Sequence, residues 1–187
     1  MMDQQHKVFV ITGAAGTGKT TVANYLRKKY DMAKVITHTT RLPRANEKDG
    51  VDYYFETRSS MQKRHLLEQV EYDHHLYGSS IEGLENGWRH HQFDVIVLDT
   101  KGALTYRAKL GDQAVVIFLT VSHPQQLFER LHIRGDHPAA IESRINSCEY
   151  QRDLSLPPEL KGQAIELVND DWAMTQQKLD QLLSRYI

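Results

Sequence analysis

At 187 residues, with 40% apolar and 25% charged residues, the chain has the length and usage of one globular α/β domain carrying small insertions. A formal net charge of −1 leaves no basic footprint for a nucleic-acid backbone or an anionic membrane, so its basic residues are read as local sites. The apolar runs are strand-sized and the first residues resemble no signal peptide, so a cytoplasmic protein acting without nucleic acid or membrane is expected, as a monomer or homodimer. The single cysteine, Cys148, excludes an intramolecular disulfide and offers no metal-ligand set, and it reads as a small apolar filler in a helix. The adjacent pairs His74-His75 and His90-His91 point in different directions on any regular element and read as surface residues.

Lys7 to Thr12 reads as a central strand, and Gly13-Ala14-Ala15-Gly16-Thr17-Gly18-Lys19-Thr20 follows it, matching G-x-x-x-x-G-K-[ST] in full. The glycines let consecutive backbone N–H groups turn inward on a polyphosphate, and the helix that begins near Lys19 aims its positive dipole end at the same anions. Lys19 would reach the outer phosphates, and Thr20 would hold Mg²⁺. The helix runs over Thr20 to Tyr30, with Val22, Ala23, Leu26 and Tyr30 at helical spacing, and Lys34 to Thr37 reads as a short second strand. From His38 to His91 long hydrophobic periodicity is missing, which marks a functional insertion. Within it a strand is expected at Val51 to Glu56, a serine-capped helix at Ser60 to Glu68, and a second helix at Ser80 to His90 with Ile81, Leu84 and Trp88 on one face.

Phe93 to Asp99 and Ala114 to Leu119 are continuous apolar runs suited to parallel strands covered on both faces, and Lys101 to Leu110 between them is helical. Asp99 ends its strand where ligands meet open α/β sheets and could hold Mg²⁺ directly or through water. Beyond Pro124, two helices carrying Arg130, Arg134 and Arg144 and joined at Gly135-Asp136-His137-Pro138 describe a lid. Ala164 to Val168 is a last strand, and Asp171 to Ile187 an amphipathic helix bearing Met174, Leu179, Leu182 and Leu183.

Thr37-His38-Thr39-Thr40-Arg41-Leu42-Pro43-Arg44 holds two arginines across a stiffening proline, and arginine forks grip phosphate bidentately. Gly50-Val51-Asp52-Tyr53-Tyr54-Phe55 and Leu76-Tyr77-Gly78-Ser79-Ser80 add hydroxyls. Together these segments resemble the S-x-T-T-R-x-P-R and G-x-D-Y-x-F signature of the guanylate kinase family, and the resemblance runs through nearly the whole chain. It implies a P-loop α/β fold with a parallel five-stranded sheet flanked by helices, as a single domain. Residues 1–37, 92–124 and 151–187 would form the core, 38–91 a nucleotide-monophosphate-binding insertion, and 125–150 a helical lid. It implies Mg²⁺-dependent transfer of the ATP γ-phosphoryl group to GMP or dGMP. Thr37, Arg41, Arg44, Tyr53 and Tyr77 would hold the GMP phosphate, Glu68 and Ser79 would read guanine, and Asp99 would contact substrate and metal. The loop from Gly13 to Thr20 with Thr21 would bind ATP, with Asn169 beside its base, and Lys19, Arg41, Arg130, Arg134 and Arg144 would act in catalysis.

The chain departs from the family pattern in places. Thr37 replaces a serine and keeps its hydroxyl, Asp73-His74-His75-Leu76 replaces H-G-N-Y, and Val97 stands where many members have a second acid. The segment between Phe55 and Glu68 and the lid tip are shorter than usual. A ribose bisphosphate phosphokinase would lack the guanine-reading residues that Glu68 and Ser79 match, and a silent protein-binding module would not need Lys19, Thr20, Arg41 and Arg44.

Overall fold

The computed structural model describes residues 6–43, 47–72, 75–133 and 138–187. Nine strands and eight α-helices are formed among them. In chain order these are β1 (Lys7–Thr12), α1 (Lys19–Tyr30), β2 (Ala33–Lys34), β3 (His38–Thr39), β4 (Tyr54–Phe55), α2 (Arg58–Met61), β5 (Leu66–Tyr72), β6 (His75–Ser80) and α3 (Ile81–Trp88). There follow β7 (Phe93–Val97), α4 (Thr100–Leu110), β8 (Ala114–Thr120), α5 (Gln125–Ile133), α6 (Pro138–Ile145), α7 (Cys148–Asp153), β9 (Ala164–Val168) and α8 (Trp172–Leu183).

Five strands make a parallel sheet in the order β2-β7-β1-β8-β9. The chain passes from β1 to β2 on one side and later reaches β8 on the other, so strand order reverses at β1 and the glycine loop leaves its carboxyl end. Val8, Phe9, Val10 and Ile11 are fully buried, as are Val116 to Leu119 within a few per cent. Uninterrupted apolar runs are what strands with both faces covered require, and each such side chain contributes about 1.5–3 kcal/mol by burial. A second sheet, β4-β3-β6-β5, is built entirely within 38–80, with β3 antiparallel to β6 and β6 antiparallel to β5.

Two compact units divide the described residues. The first takes the described residues within 6–10, 25–96 and 104–115, and the second those within 11–24, 97–103 and 116–187.

Several expectations are corrected. The strand foreseen at Lys34 to Thr37 is only β2, Ala33–Lys34, and that at Val51 to Glu56 only β4. Ser60 does not open a helix: Thr57 caps the single turn α2, and Ser60 closes a capping box by accepting from the Thr57 backbone N–H at 2.9 Å. Gln62 to His65 form a turn, and Leu66 to Glu68 belong to strand β5, because β5 pairs with β6 and a hydrogen-bonded ladder outweighs weak helical spacing. An additional helix, α7, follows α5 and α6, the two helices foreseen for the lid. Cys148 begins it and is exposed, so it fills no core gap, and Met174 is 53% exposed while Leu179, Leu182 and Leu183 are buried.

Candidate active site

The second unit contains the glycine loop. Gly13 and Gly18 adopt φ of 126° and 95°, backbone that side chains rarely tolerate. A Cβ on Gly13 would run into the Leu119 carbonyl oxygen and one on Gly18 into the Asn169 amide nitrogen. Ala14 packs with Val121, Leu127 and Tyr150, and buried Thr17 donates to the Ala14 carbonyl at 2.8 Å. Lys19 folds back over the loop, its Nζ 2.6 Å from Gly13 O and 2.8 Å from Ala14 O. Ala15 and Gly16 are half-buried, and Thr20 and Thr21 are exposed at the first turn of α1.

Asn169 stands behind this loop rather than in the open. Its Nδ2 donates to Thr17 O at 2.7 Å, and its Oδ1 accepts from Thr175 Oγ1 at 2.9 Å. Arg130 Nη2 donates to the Asn169 carbonyl at 2.8 Å, joining α5 to the same strut. Arg144 is exposed on α6, and Arg134 lies outside the described residues.

Asp99 uses both oxygens. Oδ1 accepts from Gly102 N at 2.7 Å, capping α4, and Oδ2 pairs with Arg152 Nη2 at 2.7 Å. Arg152 Nε also donates to Asp153 Oδ1 at 3.0 Å and to Thr100 Oγ1 at 3.1 Å, and buried Thr100 donates to the same Asp153 oxygen at 2.5 Å. Burial alone would lower the Arg152 guanidinium, but Asp153 and Asp99 hold it above its ordinary value. Sequence reasoning missed Arg152 and Asp153, since no spacing rule connects an arginine to an acid 53 positions earlier. Among the described residues no group of three or more His, Cys, Asp or Glu is arranged to hold a metal.

The first unit gathers the other expected residues. Arg41 Nη2 pairs with Glu47 Oε1 at 2.8 Å, and its guanidinium carbon lies 5.5 Å from the Tyr53 ring centre. The Glu47 hydrogen bond, with a further one from Tyr77, raises the Arg41 guanidinium above its ordinary value. Tyr53 and Tyr77 have ring centres 6.3 Å apart, so Arg41 and both hydroxyl-bearing rings form one cluster. Half-buried Thr37 offers its carbonyl to Tyr54 N at 2.9 Å. Arg44 lies outside the described residues.

Glu68 and Ser79 meet through the β5–β6 hairpin. Register shifts between Leu66 and Glu68, a bulge that sets Glu68 opposite Ser79 on one face, and Ser79 Oγ donates to Glu68 Oε1 at 3.0 Å. Beside them buried His38 bridges Glu56 at 2.9 Å and Ser80 at 2.7 Å, tying β3 to β6 and to the residue that follows β4; Ser80 also caps α3, which marks the trio as a brace.

The chain is similar to known proteins. The family described as guanylate kinase matches residues 5–186. The guanylate kinase of Bacteroides fragilis is 34% identical over 172 residues, covering 88% of this chain and 82% of that protein. That of Thermus thermophilus is 34% identical over 156 residues, covering 81% and 70%. Guanylate kinase 1 of Oryza sativa subsp. japonica is 31% identical over 191 residues and covers 98% of this chain, which spans 49% of that relative's length. The crystal structure of guanylate kinase from Anaplasma phagocytophilum matches with a TM-score of 0.66 over 98% of this chain and 87% of that one, a likeness of fold at 22% identity.

Proposed function

Because the chain belongs to the guanylate kinase family, whose activity is phosphoryl transfer from ATP to GMP, we propose that it is a Mg²⁺-dependent guanylate kinase using GMP or dGMP. The observation that carries the choice of acceptor is the Glu68–Ser79 pair at 3.0 Å. A carboxylate accepts from guanine N1–H and its exocyclic amine, a hydroxyl donates to O6, and adenine leaves the carboxylate unpaired.

In this reading the acceptor phosphate lies among Thr37, Arg41, Arg44, Tyr53 and Tyr77, where it would take the Arg41 fork over from Glu47. The donor phosphates lie along residues 13–21, where Lys19 exchanges its two loop carbonyls for phosphate oxygens. Asn169 contributes by bracing Thr17 beneath the ATP site. A phosphate oxygen of the acceptor attacks the γ-phosphorus as the bond to ADP breaks. No general base is required, since the attacking oxygen is already anionic. Positioning and charge neutralisation by Lys19, Arg41, Arg130, Arg134 and Arg144 carry the rate.

The donor set suits Mg²⁺, which keeps most of its waters and takes one or two protein oxygens besides substrate phosphates. Exposed Thr20 would be one such ligand. Asp99, whose oxygens each have lone-pair capacity beyond the Gly102 and Arg152 contacts, would hold a metal-bound water and orient the acceptor. Bound there, the ion would neutralise charge on the β- and γ-phosphate oxygens. Residues 38–91 would act as the acceptor-binding insertion and 125–150 as the lid of one kinase domain. The proposal extends to cytoplasmic action on free nucleotides as a monomer or homodimer, without nucleic acid or membrane; among the described residues no helix is long and apolar enough to cross a membrane.

A coupled assay with ATP, Mg²⁺ and a panel of GMP, dGMP, AMP and ribose 1,5-bisphosphate tests the proposal. Turnover is expected with the two guanine nucleotides, and AMP used as well as GMP, or the ribose bisphosphate alone, would overturn it.

A further inference from the structure

Tyr106 on α4 is wholly buried, and its hydroxyl lies 2.7 Å from Ser79 Oγ. Ser79 is buried as well, and it is 3.0 Å from Glu68. The donor inventory gives this chain of groups one direction. A carboxylate accepts only, so the Ser79 proton goes to Glu68, and the Tyr106 proton is left with the Ser79 oxygen as its acceptor. Burial holds the Tyr106 phenol well above its ordinary value, so it remains a donor through the neutral range. A phenylalanine would fill nearly the same volume without the cost of desolvating a hydroxyl, so the oxygen calls for a role.

We infer that Tyr106 is a specificity-positioning residue: by donating to Ser79 it commits the Ser79 proton to the Glu68 side, where the six-position carbonyl oxygen of a bound purine would receive it. This rests on the proposal that Glu68 and Ser79 read guanine. With guanine bound, Glu68 takes the ring N–H and the exocyclic amine, and the Ser79 proton turns to the carbonyl oxygen. Tyr106 keeps a hydrogen on the Ser79 oxygen throughout. That polarises the hydroxyl as a donor, and it leaves one lone pair fewer for a competing six-amino group.

The test compares GMP with 6-thioguanosine monophosphate, which keeps both donors facing Glu68 but replaces the carbonyl oxygen with a weakly accepting sulfur. Wild-type protein should prefer GMP. Tyr106→Phe should lower kcat/KM for GMP by about fivefold, chiefly through KM, and leave the thio analogue unchanged, so that the preference narrows by the same factor. The ratio of two acceptors on one preparation does not depend on how much of it is folded. If Tyr106→Phe gives no folded protein, Tyr106→Leu also lacks the hydroxyl and is read by the same ratio. Equal losses on both acceptors, an unchanged preference, or failure of both variants to fold while Ser79→Ala folds would reduce Tyr106 to a packing residue. Wild-type protein that uses neither purine would instead overturn the guanine reading, and this inference with it.

Discussion

Lys19 spends its charge on two carbonyls of its own loop, Gly13 O and Ala14 O, contacts that a triphosphate would replace. Lys19→Met keeps most of the stem and removes the charge that, in the proposed reaction, would face the transferring phosphoryl oxygens. Its kcat should fall by about two orders of magnitude or more, with the melting curve near that of wild type; near-native turnover would refute the role. Glu68 poses the complementary test at the acceptor. GMP should exceed AMP by about 10⁴-fold in kcat/KM, because a site built to receive donors rejects a base lacking them. Glu68→Gln turns an amide donor on guanine's own donors and should cost about a hundredfold on GMP. If GMP kinetics are unchanged in that variant, Glu68 does not read the base. The glycine motif and the two arginine and tyrosine signatures were legible because their chemistry depends on residue type at close spacing. Arg152 and Tyr106 were not, since each works on a partner brought near only by folding, Asp99 for one and Ser79 for the other.

At the level of elements, strands with both faces covered announced themselves, and short pieces did not. The helix expected at Ser60 to Glu68 became a capped turn and a strand, and that change puts Glu68 opposite Ser79. A two-residue strand such as β3 or β4 carries no periodicity to read; it exists because a neighbour supplies its hydrogen bonds. The loop–strut arrangement makes a prediction at the same scale. Asn169→Ala leaves Thr17 O and Thr175 Oγ1 without a shared partner and should destabilise the fold by about 1–3 kcal/mol while raising KM for ATP and sparing KM for GMP. An unchanged melting temperature with a raised KM for ATP would instead assign Asn169 to direct nucleotide contact.

Stability of the whole molecule should carry the mark of Asp94. Its side chain is fully buried on β7, among the described residues neither oxygen has a hydrogen-bond partner, and burial pushes the carboxyl from 3.8 up to about 8. The folded state therefore keeps a proton that the unfolded chain releases above about pH 4, and stability from this group drains away as pH rises toward 8. Relative to Asp94→Asn, which is neutral at every pH, wild-type protein should lose up to about 1.4 kcal/mol per pH unit across that window. Thermal or urea melts of both proteins between pH 5 and pH 8, roughly the span in which the unfolded carboxyl is ionised and the folded one is not, measure the difference. Parallel pH profiles would show that the folded Asp94 carboxyl ionises at the same pH as the unfolded one, so that burial does not raise it. Glu56, Glu82 and Asp170 are held below their ordinary values and lose stability in acid, but they are common to both proteins and cancel.

Residue order alone determined the parallel sheet, the glycine loop between strand and helix, and the membership of the chain in its family. Those features rest on short-range rules: apolar runs for strands buried on both faces, glycines for inward-turned amides, and arginines and tyrosines close in the chain. Tertiary structure decided the rest. It paired Asp99 with Arg152, made Asn169 a brace, turned a presumed helix into the strand carrying Glu68, and set a buried phenol behind Ser79. Each of these is a contact between residues far apart in the chain, and its free energy exists only once the intervening chain has folded.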